Sequence, residues 1–295
     1  MNSNNPHINN YDLKKLAKKT PELKDFMFVN DYGTETIDFS KAEAVKTLNK
    51  ALLRSHYAVK HWDFPDAHLC PPIPSRVDYL FELNDVLTAS NLGQNAKILD
   101  IGTGATCIYP LLGQAQFDWS FIASDADKKA IEVAKKIVDK NDLSEKIKIR
   151  FQANPQHILQ HILKDDEKIT ASVCNPPFYT TEEEAIKATQ KKWRGLKKEE
   201  NQRNFSGKAN ELWYKGGEKA FIQNYIYDSH LVKTQCAWFT TLVSNKDLLR
   251  PLKVVLKNYD PKQVKVIKMT LGKKVSHMLL WTYLSEDELK TFETN

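Results

Sequence analysis

The sequence predicts a Rossmann-like α/β fold, a mostly parallel seven-stranded sheet with an antiparallel hairpin at one edge and a helical unit in front of it. After residue 97, apolar strand-like segments alternate with amphipathic helical segments, which is typical of parallel sheets with right-handed crossovers. The last two strand-like segments, 264–270 and 277–284, are joined by a short turn at Gly272, which predicts the hairpin. Apolar residues recur at helical spacing between residues 10 and 90.

The N-terminal unit is predicted over residues 1–90 and is mostly helical. Segments 11–23 and 41–58 carry apolar residues at helical spacing. A further helix is predicted over 76–87, directly after a proline-rich turn.

The remaining chain, residues 91–295, is predicted to form the sheet and its covering helices. Five strands are expected before the edge hairpin, at 97–101, 119–124, 147–151, 171–174 and 236–243. Helices are expected at 128–141, 218–233 and 247–258.

The composition is that of an ordinary globular protein of 295 residues, of which 41% are hydrophobic. Apolar runs stay short of the ~18 residues that a membrane span needs, and the start lacks a secretory pattern, so we expect a cytoplasmic protein without a membrane partner. The spacing of the four cysteines favours buried reduced thiols over disulfides or zinc, and we expect no metal. These cysteines are Cys70, Cys107, Cys174 and Cys236.

A strongly basic loop over residues 187–208 carries the formal net charge of +6, because the rest of the chain sums to zero. With Trp193 and Phe205 interspersed, this segment suits a polyanion such as RNA, although a solvated loop has the same composition. Its basic residues are Lys187, Lys191, Lys192, Arg194, Lys197, Lys198, Arg203 and Lys208.

A glycine turn and an acidic residue form a candidate nucleotide site. Asp100 is the next-to-last residue of the first predicted strand of the sheet, and Gly102 and Gly104 follow that strand, so that backbone N–H groups can approach a ligand closely. Cys107 stands where a dinucleotide fingerprint requires a third glycine, which disfavours NAD. Asp125 ends the next strand and suits the ribose hydroxyls of a nucleotide, the alternative being a helix N-cap.

The segment Asn175-Pro176-Pro177-Phe178 follows the fourth strand of the predicted sheet and is the most specific motif. The two prolines fix the backbone and leave carbonyl oxygens free, while the asparagine adds an uncharged acceptor and the phenylalanine a ring that can stack on a base. Two neutral acceptors beside a ring suit an amine on an aromatic base, such as N6 of adenine. A rigid turn with a packed phenylalanine is the structural alternative.

Eight blocks spread over nearly the whole chain resemble one known family. They are NYDL (10–13), IDF (37–39), KHWD (60–63), CPPIPSRVDY (70–79), LDIGTGA (99–105), CIYPLLG (107–113), CNPPF (174–178) and GGE (216–218). On these residues the chain resembles the RlmF family of bacterial 23S rRNA adenine-N6 methyltransferases, which is related to the METTL16-type methyltransferase domain.

The resemblance implies a class I methyltransferase that uses S-adenosylmethionine, releases S-adenosylhomocysteine and methylates N6 of one specific adenine of 23S rRNA. It implies catalytic roles for Asn175, Pro176, Pro177 and Phe178. The implied cofactor contacts are Arg76, Asp100, Gly102, Gly104, Asp125 and Asn175, with His157 a weaker contact near the cofactor adenine. Lys215-Gly-Gly-Glu218 is interpreted as structural, because helix capping accounts for it.

The same resemblance places RNA contacts on the N-terminal unit, where composition alone predicts only an exposed helix face. These are Lys14, Lys15, Lys18, Lys19, Arg54 and Lys60. The implied partner is 23S rRNA or an assembling ribosomal particle, and we expect a monomer. Two alternatives stay open: a protein glutamine methyltransferase, whose motif is closely similar, and a non-catalytic RNA-binding protein on the same fold.

Overall fold

The chain begins with helices that precede and follow a small two-stranded sheet along the sequence. The computed structural model describes residues 1–66, 68–187, 212–272 and 274–294. The N-terminal elements are α1 (Leu13–Lys19), a 3-10 helix (Pro21–Phe26), β1 (Met27–Val29), β2 (Glu35–Ile37), α2 (Ala42–His56) and α3 (Ile73–Ala89).

Two helix predictions for this unit are corrected by the positions of prolines. The helix expected over 11–23 is divided, because Pro21 lacks an N–H and begins a separate 3-10 helix. The helix expected from residue 76 begins at Ile73, because Pro74 occupies its first turn, where no N–H donor is needed. Arg76 therefore lies in the first turn of α3.

The antiparallel pair of β1 and β2 was not predicted. Each strand has three residues, too few for an alternating pattern to be recognisable, and Phe28 and Val29 are exposed. The division of the chain at residue 90 remains a prediction.

The large sheet confirms the predicted architecture. Its strands are β3 (Lys97–Ile101), β4 (Ser120–Asp125), β5 (Ile147–Phe151), β6 (Ile169–Cys174), β7 (Cys236–Val243), β8 (Gln263–Leu271) and β9 (Lys274–Thr282). They lie in the order β5-β4-β3-β6-β7-β9-β8. The first five strands in this order pair in parallel, and β9 pairs antiparallel with β7 and β8.

Helices cover both faces of the sheet, and alternate residues of the central strands serve two separate apolar clusters. Ile98 belongs to the cluster that includes α3, while Leu99 belongs to the cluster on the other face. The helices that follow α3 are α4 (Ile108–Phe117), α5 (Lys128–Lys140), α6 (Gly217–Leu231), α7 (Leu249–Lys257) and α8 (Glu286–Lys290).

Helix α4 was not predicted, because Pro110 and Gly113 normally interrupt helices. Pro110 is the third residue of α4, where its missing N–H has no helical acceptor to lose. A Cβ atom at Gly113 would lie 2.4 Å from Cζ of Phe121, so the glycine lets α4 pack directly on β4. The glycine in this helix is therefore explained by packing.

A chain of buried hydroxyl groups joins α3 to the centre of the sheet. The hydroxyls of Tyr79 and Thr240 are hydrogen-bonded at 2.6 Å, and the Thr240 hydroxyl donates to the carbonyl oxygen of Ser172 at 2.6 Å. The backbone N–H of Cys174 donates to the Tyr79 hydroxyl at 3.3 Å. These bonds tie β6, β7 and α3 together immediately below the loop that follows Cys174.

Within the described ranges, no helix is both long and apolar enough to cross a membrane. All four cysteines are free thiols; three are buried and Cys70 is partly buried.

Candidate active site

The carboxyl ends of three adjacent strands bring the predicted site residues together. Ile101 of β3 pairs with Ser124 of β4 on one side and with Cys174 of β6 on the other. The Gly102 turn, Asp125 and Asn175 each follow one of these paired positions, on strands about 4.8 Å apart. From β3 the chain adds β4 and β5 on one side of the sheet and then β6 and β7 on the other, so the strand order switches between β3 and β6. Open α/β sheets bind ligands at such a switch point.

The turn after β3 has the left-handed backbone that its glycines permit. Gly102 and Gly104 have φ values of +73° and +61°, and a Cβ atom at either position would meet nothing within 4 Å. The N–H groups of Gly102 and Thr103 both donate to the carbonyl oxygen of Ser124 at 2.9 Å. Glycine is thus favoured at both positions because the backbone is left-handed there, and its lack of a side chain leaves open space beside the backbone.

Asp125 links two turns through its carboxylate. One oxygen accepts from the N–H of Gly104 at 2.8 Å, and the other accepts from the N–H of Asp127 at 2.8 Å. The N-cap of α5 is Asp127, whose side chain accepts from the N–H groups of Lys129 and Ala130. The cap interpretation of Asp125 is therefore wrong, and its carboxylate belongs to the glycine turn.

Beneath the turn lies a group of buried polar side chains with unmet hydrogen-bonding capacity. Asp100 is 1% exposed, and neither of its carboxylate oxygens has a hydrogen-bond partner in the described part of the chain. The hydroxyls of Thr103 and Tyr109 are likewise unpartnered there. Burial raises the pKa of Asp100 to about 7, and the nearby charge of Asp125 reinforces this effect. The Thr103 side chain and the positive charge of Arg76 favour the ionised carboxylate and so lower the pKa, but they do not outweigh burial. Unsatisfied buried groups of this kind are characteristic of ligand sites.

Arg76 lies over this group from the first turn of α3. Its guanidinium carbon is 5.6 Å from the ring centroid of Tyr109, and its charge acts on both Tyr109 and Asp100. Sequence reasoning selected Arg76 but not Thr103 or Tyr109. Both lie inside the resemblance blocks, but nothing in their local pattern indicates that their hydroxyls are buried without partners.

The Asn175 loop is held from one side by residues that follow the basic loop. The N–H groups of Phe178 and Tyr179 both donate to the carbonyl oxygen of Leu212 at 3.0 Å. The N–H of Tyr214 donates to the carbonyl oxygen of Tyr179 at 3.0 Å. Pro176 is buried, while Asn175, Pro177, Phe178 and Tyr179 are partly exposed, so their polar groups and rings remain accessible at the edge of the sheet.

The Gly216-Gly217-Glu218 segment packs against the same loop. A Cβ atom at Gly217, where φ is +69°, would lie 2.9 Å from Cγ2 of Thr180. Glu218 is buried and accepts hydrogen bonds from the backbone N–H and the hydroxyl of Ser244, at the end of β7. The segment therefore does more than cap α6: it joins the Asn175 loop to the end of β7.

His157 lies in the loop after β5, the edge strand whose Phe151 pairs with Asp125. Its ring is partly buried, its Nδ1 atom has no partner among the described residues, and the ring centroid of His161 is 6.0 Å away.

A family model described as RNA methyltransferase matches residues 1–285. The chain belongs to this RNA methyltransferase family. It is 46% identical over 292 residues to the Ribosomal RNA large subunit methyltransferase F of Pseudomonas syringae pv. syringae (strain B728a), covering 96% of this chain and 89% of that protein. The resemblance seen in the sequence is thereby confirmed.

Solved structures of human METTL16 share the fold of this RNA methyltransferase. The catalytic domain in complex with hairpin 1 of the MAT2A 3′UTR superposes with a TM-score of 0.83 at 29% identity, covering 96% of each chain. The N-terminal domain in complex with SAH gives a TM-score of 0.78 at 27% identity, covering 97% of this chain and 99% of that one.

The predicted RNA contacts of this RNA methyltransferase are only partly within the described residues. Lys187 is exposed, whereas Lys191, Lys192, Arg194, Lys197, Lys198, Arg203 and Lys208 lie outside them. On α1, Lys14 forms an ion pair with Glu35 at 2.9 Å, and Lys15, Lys18 and Lys19 are exposed. In the described ranges, no group of histidine, cysteine and acidic residues is arranged to hold a metal ion.

Proposed function

We propose that this RNA methyltransferase transfers the methyl group of S-adenosylmethionine to N6 of one specific adenine in 23S rRNA. The observation that carries the proposal is the pairing of Ile101 with Cys174. It sets the Gly102 turn and Asn175 side by side at the carboxyl edge of the sheet, so a methyl group can pass between ligands held at the two loops. Relatives named for ribosomal RNA methylation supply the substrate class.

The residues at the glycine turn fit S-adenosylmethionine in shape and charge. Open space beside Gly102 and Gly104 admits a ligand against the backbone, and Asp125 offers a carboxylate to ribose hydroxyls. The unpartnered carboxylate of Asp100 suits the cationic groups of the methionine part, and the Arg76 guanidinium suits its carboxylate. His157 is assigned a weaker contact near the cofactor adenine.

S-adenosylmethionine supplies a methyl group on a positively charged sulfur, and the Asn175 loop prepares the nucleophile. An exocyclic aryl amine is a poor nucleophile because its lone pair is delocalised into the ring. The Asn175 side-chain oxygen and the Pro176 carbonyl accept its two hydrogens, which favours a lone pair localised on nitrogen. These fixed dipoles also stabilise the positive charge that develops on nitrogen as the methyl–sulfur bond breaks and S-adenosylhomocysteine leaves. The methylated aryl ammonium is acidic enough to lose its extra proton to water, so no strong base is needed. Pro177 keeps the loop rigid, and Phe178 stacks on the base.

RNA binding is assigned to the N-terminal unit over residues 1–90 and to the basic loop over 187–208, which flank the active-site edge in sequence. The partner is 23S rRNA, free or in an assembling particle, and the protein acts as a cytoplasmic monomer. No metal takes part in the transfer. A target base in a loop or flipped out of a helix can reach the Asn175 loop.

The test measures methyl transfer from labelled S-adenosylmethionine to unmodified 23S rRNA, followed by mass spectrometry of the nucleosides. Wild-type protein should produce N6-methyladenosine. Asn175→Ala should lower the transfer rate by about 100-fold or more, as loss of one preorganised polar group does in other enzymes. Asn258→Ala, at an exposed position after α7, is the control and should retain activity.

Calorimetry with S-adenosylhomocysteine separates catalysis from cofactor binding. The mechanism is wrong if Asn175→Ala keeps near wild-type transfer with binding intact. Transfer to a glutamine of a release factor, with none to RNA, would instead assign the protein methyltransferase function. Failure of the wild-type protein to bind the cofactor would leave a non-catalytic RNA-binding protein.

A further inference from the structure

A cleft of about 670 Å³ lies between α2, the segment 59–66 and α5. We call it the α2–α5 cleft. Six of its lining residues are basic and two, Asp63 and Asp66, are acidic. The basic residues are Lys46, Lys50, Arg54, Lys60, Lys136 and Lys140.

Two of the six cations are neutralised by the acidic residues. Lys46 lies 3.0 Å from the Asp63 carboxylate and 3.4 Å from that of Asp66, and Lys50 lies 3.0 Å from that of Asp63. Lys46 also donates to the carbonyl oxygen of Phe64 at 2.6 Å, and its side chain is only 16% exposed. These ion pairs fasten the 59–66 segment to α2 and leave little charge for a ligand.

The other four cations form no ion pair with the described residues. Arg54 donates from Nε to the carbonyl oxygen of Lys60 at 3.3 Å, which leaves most of its guanidinium donors available. Lys136 and Lys140 are exposed and four residues apart, so they share one face of α5. The α2–α5 cleft therefore has an unbalanced positive charge on both of its walls.

The walls are held rigidly in relation to each other. Backbone N–H groups of Lys60 and His61 donate to the Asn141 side chain at 2.8 and 3.0 Å, just beyond the end of α5. Directly after these two residues, the Trp62 indole donates to the carbonyl oxygen of Thr106 at 2.9 Å. The backbone segments that carry the charges are thus held in fixed relative positions, which lowers the cost of gathering them around an anion.

The two lining lysines of α5 lie toward the end of that helix, away from the active-site edge. Helix α5 begins three residues after Asp125 and has 13 residues, so it extends about 20 Å from that edge. Lys136 and Lys140 lie in its last turns, as does Ile137, another lining residue. A ligand in the cleft cannot be the base that is being methylated.

The chemistry of the cleft selects phosphates over bases. Two of its aromatic lining residues, Trp62 and Phe64, are 3% and 4% exposed, so neither ring offers a stacking platform, and His61 is the exposed ring of the lining. A site in which six cations accompany one exposed ring and no bidentate amide binds chiefly the nucleic-acid backbone, which carries no sequence information.

We propose that the α2–α5 cleft is a second RNA-binding site that takes backbone phosphates of the substrate, with Lys136 and Lys140 about 12 and 18 Å along α5 from its start beside the active-site edge. The proposal rests on the proposed function in taking RNA as the substrate. It assigns Lys136 and Lys140, which belong to the sheet-covering helices, to substrate binding together with Arg54 and Lys60.

The test compares two double charge reversals in the full chain by filter binding to a 23S rRNA transcript over a range of KCl concentrations. Lys136→Glu/Lys140→Glu alters the cleft. Lys253→Glu/Lys257→Glu is the matched control, because it changes two exposed lysines at the same spacing near the end of α7. The cleft variant should bind about tenfold more weakly, and its slope of log affinity against log salt should fall by about 0.7 to 0.9 per lost phosphate contact. The control should match the wild type.

A short hairpin that carries the target adenine but cannot span the distance to the cleft provides the second readout. The cleft variant should bind and methylate this hairpin like the wild type. The proposal is overturned if the cleft variant binds the transcript normally, if the control loses as much affinity, or if hairpin binding falls equally. Absence of methyl transfer in the wild type would reject the proposed function alone, since transcript binding is read independently.

Discussion

Replacing Asp100 by asparagine should stabilise the free protein at pH 8 while weakening its binding of cofactor. The pKa of this carboxyl group is raised from 3.8 to about 7, chiefly by burial. A group whose pKa is raised on folding stabilises the fold below its unfolded pKa, and that contribution is lost as pH rises through the folded pKa. The wild-type free energy of unfolding should therefore fall between about pH 4 and pH 7 because of Asp100.

The size of the effect follows from the difference in pKa. A difference of about 3 corresponds to about 4 kcal/mol at 1.36 kcal/mol for each pH unit. The asparagine amide would remain buried without partners, which costs about 1–3 kcal/mol. The protonated carboxyl group of the wild type is buried in the same way at pH 4, so this cost cancels in the comparison. Asp100→Asn should thus be nearly equal to the wild type at pH 4 and about 4 kcal/mol more stable above pH 7.

Urea denaturation at pH values from 4 to 8 measures both profiles, because ionisations common to the two proteins cancel in the difference. Asp165→Asn makes the same substitution at an exposed carboxyl and should show no such profile. Calorimetry with S-adenosylhomocysteine should show affinity about 10- to 100-fold weaker for Asp100→Asn, since a charged hydrogen bond is lost. A variant less stable than the wild type at pH 8, or a difference independent of pH, would refute the reasoning.

Three further substitutions test the packing of the site and the core. Gly217→Ala should destabilise the protein by about 1–3 kcal/mol and reduce methyl transfer, because left-handed backbone and contact with Thr180 both oppose a side chain there; unchanged turnover would contradict the role given to this segment. Glu167→Gln should cost up to about 3 kcal/mol at pH 7, because its two cationic partners overcome burial and hold its pKa at about 2 instead of 4.5. The difference from wild type should vanish as pH falls from about 4.5 to about 2, and a flat urea-denaturation difference would show that the ion pairs contribute nothing. Gly113→Ala should lower stability by about 1–2 kcal/mol despite better helix propensity, because its methyl group meets the Phe121 ring; a raised midpoint in urea would show that the ring moves aside.

The sheet was predictable because its strands are short apolar runs separated by turn residues, and their order along the chain fixes the parallel topology. Helix α4 was not, since Pro110 and Gly113 contradict the local preference and only their positions in the fold explain them. The same limit applies to β1 and β2, which are too short to have a recognisable period.

The candidate site divides in the same way. The glycine turn, Asp125 and Asn175 could be selected because each follows a predicted strand, and the carboxyl ends of neighbouring parallel strands meet. The unpartnered state of Asp100 depends on groups from three separate elements, so no local pattern reveals it. The α2–α5 cleft likewise joins residues that lie about ninety positions apart in the sequence.

The buried hydroxyls of Tyr79 and Thr240 have a consequence for how the sheet assembles. If β7 paired with β6 one residue out of place, the Thr240 hydroxyl would face the opposite side and the Tyr79 hydroxyl would lose the acceptor for its own hydrogen. Misaligned pairings therefore leave polar groups stranded in an apolar interior, at a cost that the correct pairing avoids. A redesign that replaced both residues by apolar ones of similar size would be expected to be as stable. It would, however, lose the free-energy difference that disfavours the shifted pairing of β7 with β6.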